Sequence, residues 1–292
     1  MVVFTGPRRA KEPLHNNLNI CLVQVIYEQF LSLDFCVCRA EESFFMLKSF
    51  SRTDVGVKRQ VNQDYIFRSE EPVGNLPNLF IVADGMGGHN AGDYASSFAT
   101  NFVVEAIRED SETNPIKLIR HAIEKANTEL LQDASSHPDK DGMGTTFVAA
   151  TVMEDGYLYV ANVGDSRLYL ISDEITQITR DHSLVEEMVR AGKLDKEAAR
   201  LHPDKNIITR AVGAIKDLKV DFFDMKLKSG DKILMCTDGL SNMVPEIEIK
   251  KIVDEGDSVE GTVNALVDKA NECGGKDNIA VILVEPFASG LN

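Results

Sequence analysis

The sequence predicts an α+β fold in which antiparallel sheets are covered by helices. Strand-like and helix-like segments occur in groups along the chain, which is typical of antiparallel sheets with helices packed outside them. Residues 146–153 and 157–163 are joined by the turn Glu154-Asp-Gly156 and read as a β-hairpin. Residues 115–133 instead carry apolar side chains at helical spacing.

Each further element follows from a local pattern. Short apolar runs at 65–67 and 79–83 predict the first strands, and a helix is predicted over 91–108. The polar, helix-prone segment 181–207 is predicted to be an insertion over the sheet. The remaining strands are predicted over 167–171, 175–178, 219–227, 232–237 and after Asp277, with helices over 245–254 and 258–272.

Composition favours one large cytoplasmic domain. A chain of 292 residues with 43% hydrophobic content can bury a sizeable core. A net charge of −15 argues against nucleic acid as a partner, because its phosphate backbone attracts basic surfaces. Five cysteines at irregular positions do not resemble a secreted disulfide framework, so a reducing cytosol is expected.

The beginning of the chain differs from the rest. We expect residues 1–45 to be an N-terminal extension of unknown role, followed by the main domain at 46–288. Residues 18–38 are apolar but are interrupted by polar and charged side chains, so no membrane-spanning helix is predicted there. A helix that docks on the domain and a tail that exists because translation starts early both stay open, and Met46 would be a natural alternative start.

Four aspartates at the edges of apolar runs carry the functional signal. Asp84, Asp165 and Asp238 end strand-like runs, and Asp277 begins one. If the strands are neighbours, the carboxylates share a cleft, where like charges repel unless a hard cation with oxygen ligands binds them. A lone Asp-Gly after a strand is more often a turn. Three of these four segments, however, carry further unusual residues, and their conjunction predicts a Mg²⁺ or Mn²⁺ site and metal-assisted hydrolysis.

Seven motifs occur in a fixed order: Arg59-Gln-Val-Asn-Gln-Asp64, Asp84-Gly-Met-Gly-Gly-His89, Gly144-Thr-Thr146, Asn162-Val-Gly-Asp-Ser-Arg167, Ile208-Thr-Arg-Ala-Val-Gly213, Thr237-Asp-Gly239 and Asp277-Asn278. Their order and spacing resemble the metal-dependent type 2C (PPM family) protein serine/threonine phosphatases, above all the bacterial branch. The resemblance implies a four-layer α/β/β/α sandwich of two antiparallel sheets flanked by helices, with a binuclear metal cleft at one end. It also implies hydrolysis of phosphoserine and phosphothreonine by metal-bound hydroxide, without a phosphoenzyme.

The resemblance gives each acidic residue a role. Asp84 would bridge two metal ions, and the Gly85 carbonyl would bind one of them. Asp238 and Asp277 would complete the protein ligands of the first ion. Asp165, together with Asp238, would hold a third, weaker ion. The cofactor implied is Mn²⁺ or Mg²⁺, as two ions and possibly a third.

Other positions either complete or depart from the family pattern. Asp64 would act beside the second metal through water, and Arg59 would grip the substrate phosphate, although an arginine alone is more often an ordinary surface residue. Met86 stands where many eukaryotic relatives have a histidine proposed as the leaving-group acid. His89 could take that part, or could equally start a helix or support the site from outside. Gln63 stands where some relatives have a metal-binding glutamate, so the second ion would rely more on water.

The resemblance also implies partners. They are phosphorylated proteins and a cognate bacterial Ser/Thr kinase, with neither nucleic acid nor membrane, and a monomer is expected. Residues 181–207 match the flexible flap of bacterial members and are predicted to tune substrate access; a plain surface loop is the alternative. A phosphatase for a partner-switching regulatory protein and a non-catalytic relative that binds phosphoproteins stay open as other functions.

Overall fold

A computed structural model describes residues 47–88, 91–195, 198–199 and 202–288 of the chain. The predicted N-terminal extension and His89 lie outside the described residues. The strands are β1 (Lys48–Asp54), β2 (Asp64–Ser69), β3 (Leu79–Met86), β4 (Gly144–Thr145), β5 (Phe147–Val152), β6 (Tyr157–Val163), β7 (Arg167–Ile171), β8 (Ile175–Gln177), β9 (Asp221–Lys226), β10 (Lys232–Cys236) and β11 (Ile279–Glu285). The helices are α1 (Ala91–Glu109), α2 (Pro115–Ser136), α3 (Leu184–Arg190), α4 (Asp238–Ser241), α5 (Glu246–Glu255) and α6 (Val259–Glu272), with a short 3-10 turn at Pro138–Lys140.

The strands form two antiparallel sheets, as the sequence predicts. One sheet has the order β1-β11-β10-β7-β8, and the other has the order β2-β3-β5-β6-β9, with β4 paired to β3. The predicted hairpin is β5 and β6, which pair from Phe147 opposite Val163 to Val152 opposite Leu158. Among the helices of the described residues, none is long and apolar enough to cross a bilayer.

The side chains of β3 point alternately to its two faces, which explains how the layers of helix and sheet are stacked. Ile81 and Ala83 pack in a cluster with side chains of α1 and α2. Phe80 and Val82 face the other way, into a cluster shared with the strands of the second sheet. Because both faces of β3 are buried, its sequence is one continuous apolar run. Helices α5 and α6 cover the outer face of the other sheet in the same way, which completes the predicted four layers.

Capping residues set the limits of two long helices. The Asn114 side chain accepts a hydrogen bond from the Lys117 N–H, and Pro115 occupies the first helical position of α2. The Ser258 side chain caps α6 by accepting a hydrogen bond from the Gly261 N–H. Helix α2 ends three residues after its predicted end, and α6 begins one residue after its predicted start.

Strand β1 is the longest element that the sequence did not predict; the short β4 and α4 were not predicted either. Its residues Lys48–Asp54 contain no apolar run, and all seven are half-buried or exposed. The strand forms because its backbone pairs with β11 along its whole length, from Lys48 opposite Glu285 to Asp54 opposite Ile279. Its existence therefore depends on a partner more than 200 residues away in the chain.

Candidate metal centre

The acidic residues singled out in the sequence come together at one end of the two sheets. Asp64 begins β2 and lies opposite Asp84 of β3 in the strand register. Four aspartates line a cavity of about 250 Å³, together with Arg59. The full lining is Arg59, Gln63, Asp84, Gly85, Met86, Gly87, Thr146, Asp165, Asn206, Ile208, Asp238, Asp277 and Asn278.

Asp84 lies at the centre of this cluster. Its backbone N–H donates to Thr146 Oγ1 at 2.9 Å, and its carbonyl accepts from the Thr146 N–H at 2.9 Å and from Thr145 Oγ1 at 2.9 Å. Burial raises the pKa of the Asp84 carboxyl well above its usual range, and the neighbouring negative charges raise it further. Those charges belong to Asp64, Asp238, Asp165 and Asp277. The backbone is therefore fixed at the point where the carboxylates repel most.

Asp64 is buried at the edge of the cavity. Thr237 Oγ1 donates to Asp64 Oδ2 at 2.7 Å, and the other oxygen, Oδ1, is buried with no protein hydrogen-bond partner. Burial raises the pKa of Asp64 well above its usual range, and the charges of Asp238 and Asp277 add to the shift. The hydroxyl of Thr237 also accepts from the Ala280 N–H at 2.9 Å, so it joins the Asp64 strand to β11.

Asp238 has a similar environment at the first residue of α4. Asn242 Nδ2 donates to Asp238 Oδ2 at 2.8 Å, whereas Asp238 Oδ1 is buried without a protein hydrogen-bond partner. Burial, followed by the charge of Asp277, raises the pKa of Asp238 to about 6. The unpartnered oxygens of Asp64 and Asp238 are what a cation site would use.

Asp165 follows β6 in a tight turn. Gly164, before it, has a φ of 102°, a backbone conformation that favours glycine. Burial raises the pKa of Asp165 well above its usual range, and the charges of Asp238 and Asp181 add to the shift. The hydroxyls of Ser166 and Thr146 lie 2.7 Å apart, so Thr146 connects the Asp165 turn to the backbone of Asp84.

Asp277 is paired with an arginine. Arg59 Nη2 lies 2.9 Å from Asp277 Oδ2, and the Asn278 N–H donates to Asp277 Oδ1 at 2.9 Å. Sequence reasoning gave these two residues separate roles, in phosphate binding and in metal binding. The structure shows that they contact each other.

The donor set fits hard divalent cations. In the described ranges no group of three or more Asp, Glu, His or Cys side chains is arranged closely enough to hold a metal ion as it stands. The cluster nevertheless combines unpartnered buried carboxylate oxygens with raised pKa values, which is the environment that a divalent cation stabilises. Gly85 lets β3 pass close to α1, since a Cβ there would lie 1.9 Å from the Gly92 carbonyl oxygen.

The predicted flap adjoins this cluster. Residues 181–207 contain the short helix α3, and they border a second cavity of about 730 Å³ that shares Asp165 and Asp238 with the first. Arg167 and Asp181 form a bidentate ion pair in its wall, with Arg167 Nη2 at 2.7 Å from Asp181 Oδ2. Sequence reasoning missed this pair, and it missed the roles of Thr146 and Thr237, although Arg167 and both threonines lie in the motifs.

The cysteine nearest to the cluster, Cys236, does not supply an alternative chemistry. Cys236 is fully buried in β10, and burial raises the pKa of its thiol to about 12. A thiol with this pKa stays protonated at neutral pH and is a poor nucleophile. The site instead places oxygen donors for cations beside a guanidinium that can bind an anion, a combination suited to hydrolysis of a phosphate ester. Fold and site together define a phosphatase.

Comparison with known proteins narrows this class. The chain belongs to the protein phosphatase 2C family, whose model matches residues 56–282. It is 42% identical over 241 residues to the serine/threonine phosphatase stp of Listeria monocytogenes. The match covers 80% of this chain and 94% of that protein. The resemblance to type 2C phosphatases is thereby confirmed, and the chain is a protein-serine/threonine phosphatase.

Solved structures agree with the fold. The crystal structure of the serine/threonine phosphatase Stp1 from Staphylococcus aureus is 35% identical, has a TM-score of 0.77, and covers 84% of this chain and 96% of that one. The catalytic domain of the phosphatase PstP was solved in complex with two manganese ions. It is 29% identical, has a TM-score of 0.72, and covers 82% of this chain and 97% of that one.

Proposed function

We propose that the chain hydrolyses phosphoserine and phosphothreonine on proteins with the help of two divalent cations, Mn²⁺ or Mg²⁺, and a third, weaker one. The observation that carries this proposal is the convergence of four carboxylates, one buried and three half-buried, whose pKa values are raised by desolvation and by one another. Such a cluster is unfavourable for folding unless cations bind it. The manganese ions of the PstP structure support the choice of metal.

Each residue has a part in this proposal. Asp84, the Gly85 carbonyl, Asp238 and Asp277 would hold the two main ions, and Asp165 with Asp238 would hold the third. Asp64 would act beside the second ion through water, with Thr237 fixing one of its oxygens. When bound, the ions would lower the pKa of a water molecule and neutralise charge on the phosphate.

The chain's own side chains would orient the substrate and hold the acidic cluster in place. Arg59 would bind phosphate oxygens at the mouth of the cavity, and Thr146 would keep Asp84 and the Asp165 turn in register. His89 stays a candidate for the leaving-group acid, with a role at the helix start or in support of the site as the equal alternative. No covalent phosphoenzyme is proposed, and burial, which raises the pKa of the Cys236 thiol to about 12, makes that thiol a poor nucleophile.

We also propose residues 46–288 as the phosphatase domain and a cognate bacterial Ser/Thr kinase as the opposing enzyme. The identity to relatives named as serine/threonine phosphatases supports a phosphoprotein substrate. The cytoplasmic location and the monomeric state remain predictions from the sequence.

Metal dependence is tested with a small substrate. We expect the purified full chain to hydrolyse p-nitrophenyl phosphate with Mn²⁺, to lose at least about a hundredfold in rate with excess chelator, and to recover when Mn²⁺ is restored. Calorimetry on the same protein counts the ions bound. Unchanged turnover in chelator, with no metal retained by elemental analysis, would contradict the proposal.

Replacement of Arg59 tests phosphate binding separately. Arg59→Ala is expected to raise KM for a phosphopeptide about tenfold to a hundredfold, because it removes a charge-assisted hydrogen bond to phosphate. Mn²⁺ affinity, measured by calorimetry without substrate, should stay equal or become slightly tighter, because Asp277 is released from its ion pair. A KM equal to that of the wild type would remove Arg59 from the site.

A further inference from the structure

The segment that carries Arg59 is held by the residues that precede β11. This segment, the Arg59 loop (residues 55–63), joins β1 to β2 without regular secondary structure. The N–H groups of Val57 and Lys58 donate to the Gly275 carbonyl at 2.8 Å and 3.1 Å. Gly56 has a φ of 78°, and a Cβ there would lie 2.2 Å from the Asp277 carbonyl oxygen, so the two segments touch through their backbones.

Asn278 makes the remaining links. Its side-chain Nδ2 donates to the Val55 carbonyl at 2.9 Å and to the Val61 carbonyl at 3.0 Å. Its Oδ1 accepts from the Gln63 N–H at 2.9 Å. Both amide hydrogens and the amide oxygen are thus used, and Asn278 is only 3% exposed. One buried side chain therefore binds the first residue of the loop and two of its last three residues.

These bonds bracket Arg59. The loop is otherwise weakly packed, since Lys58, Arg59, Gln60 and Val61 are all exposed. Its shape is therefore set chiefly by hydrogen bonds, and Asn278 supplies three of the five that residues 275–278 make to the loop backbone. We propose that Asn278 is a positioning residue that holds the Arg59 loop, so that Arg59 meets the substrate phosphate beside Asp277. This inference rests on the phosphate-binding role of Arg59 proposed above.

Asparagine is the residue type that this position requires. Aspartate has the same shape but no N–H donors, so the Val55 and Val61 carbonyls would lose their bonds and a further negative charge would enter the acidic cluster. Alanine would remove all three bonds. Either change frees the loop without deleting Arg59 or a proposed metal ligand.

The first measurement is steady-state kinetics on the Mn²⁺-loaded full chain. Asn278→Ala is expected to raise KM for a phosphopeptide, and the inhibition constant of inorganic phosphate, about tenfold each, with a smaller change in kcat. Calorimetric Mn²⁺ affinity should stay within about threefold of the wild type. A loss of Mn²⁺ affinity as large as the rise in KM would overturn the proposal, because Asn278 would then act through Asp277.

A double variant decides whether Asn278 acts through Arg59. In the Arg59→Ala background, Asn278→Ala should raise KM by less than about twofold, because a loop without its arginine has nothing left to position. The proposal would be overturned if the two substitutions raised KM by factors that multiply in the double variant. It would also be overturned if Asn278→Ala raised KM while Arg59→Ala alone did not. Turnover by the wild type in the same assay tests the proposed function. The ratios of KM between the variants test the role of Asn278.

Hydrogen exchange gives a readout that does not depend on activity. The Val57, Lys58 and Gln63 amides should exchange about tenfold faster in Asn278→Ala, or in Asn278→Asp if the alanine variant does not fold. The matched control is Asn78→Ala, which removes another buried asparagine that bonds the Val152 backbone through both side-chain atoms. This control should lower Tm without changing KM. Unchanged exchange in the Arg59 loop of a folded Asn278 variant would overturn the proposal.

Discussion

Asp84→Ala is expected to lower kcat on a phosphopeptide by about a thousandfold or more. Asp84 lies at the centre of the cluster, where the charges of all four other aspartates reach it. In the proposed site it would contact both main ions, so its removal deletes a ligand from each. Calorimetry should show weaker Mn²⁺ binding at more than one site, and steady-state kinetics with saturating Mn²⁺ should show the loss in kcat.

The matched control is Asp217→Ala. Asp217 is an exposed aspartate outside the cavity, and its replacement should leave kcat and Mn²⁺ binding unchanged. Circular dichroism and a melting curve in chelator establish that Asp84→Ala is folded. If the folded Asp84→Ala protein turned over substrate within tenfold of the wild type, the assignment of Asp84 to the metal centre would be wrong.

Sequence reasoning found the acidic cluster because its members end or begin buried strands. An apolar run can be recognised from the sequence alone, and an aspartate at its edge marks where the chain leaves the core. Asp84 and Asp238 could therefore be expected where β3 and β10 leave the core, although these strands belong to different sheets. The register of β10 with β11 places Asp238 and Asp277 at the same end of their sheet. The two layers of sheet could be predicted for the same reason.

The partners of these aspartates could not be predicted in this way. Arg59 contacts Asp277, and Thr237 contacts Asp64, across separations of 218 and 173 residues. Such contacts depend on how β1, β2 and β11 come together, and β1 itself carries no local signal. The threonines and Asn278 were visible as motif members, but only the hydrogen bonds in three dimensions give each of them a role.

The acidic cluster also has a consequence for stability. Four crowded carboxylates with raised pKa values, of which Asp64 is buried and the other three are half-buried, destabilise the metal-free fold when they ionise. The unfolded chain exposes the same charges to water. The same charges would favour folding when cations bind, because the ions bind the folded state only. Residues that serve activity in this site are therefore expected to oppose stability in its metal-free form.

The substitution Asp238→Asn is expected to lower activity and to raise the stability of the metal-free fold, and it therefore separates these two effects. The variant keeps the shape of the side chain and an oxygen that can accept from Asn242, but it removes the charge. Activity on a phosphopeptide should fall by about a hundredfold or more, since Asp238 would bind two of the ions. In excess chelator at pH 7.5, by contrast, Tm should rise by at least about 2 °C, which corresponds to about 1 kcal/mol in a domain of this size.

The rise in Tm should depend on pH in a defined direction. Burial and the charge of Asp277 raise the pKa of Asp238 from its ordinary 3.8 to about 6 in the folded chain. Its ionisation therefore costs no stability below about pH 4, costs more as the pH rises, and reaches its full cost above about pH 6. The difference in Tm between Asp238→Asn and the wild type should consequently be smaller at pH 5 than at pH 7.5, whereas Asp217→Asn should show no difference at either pH. An Asp238→Asn protein that is no more stable than the wild type in chelator at pH 7.5 would show that this carboxylate is not repelled by its neighbours, and the physical case for a cation at this position would fail.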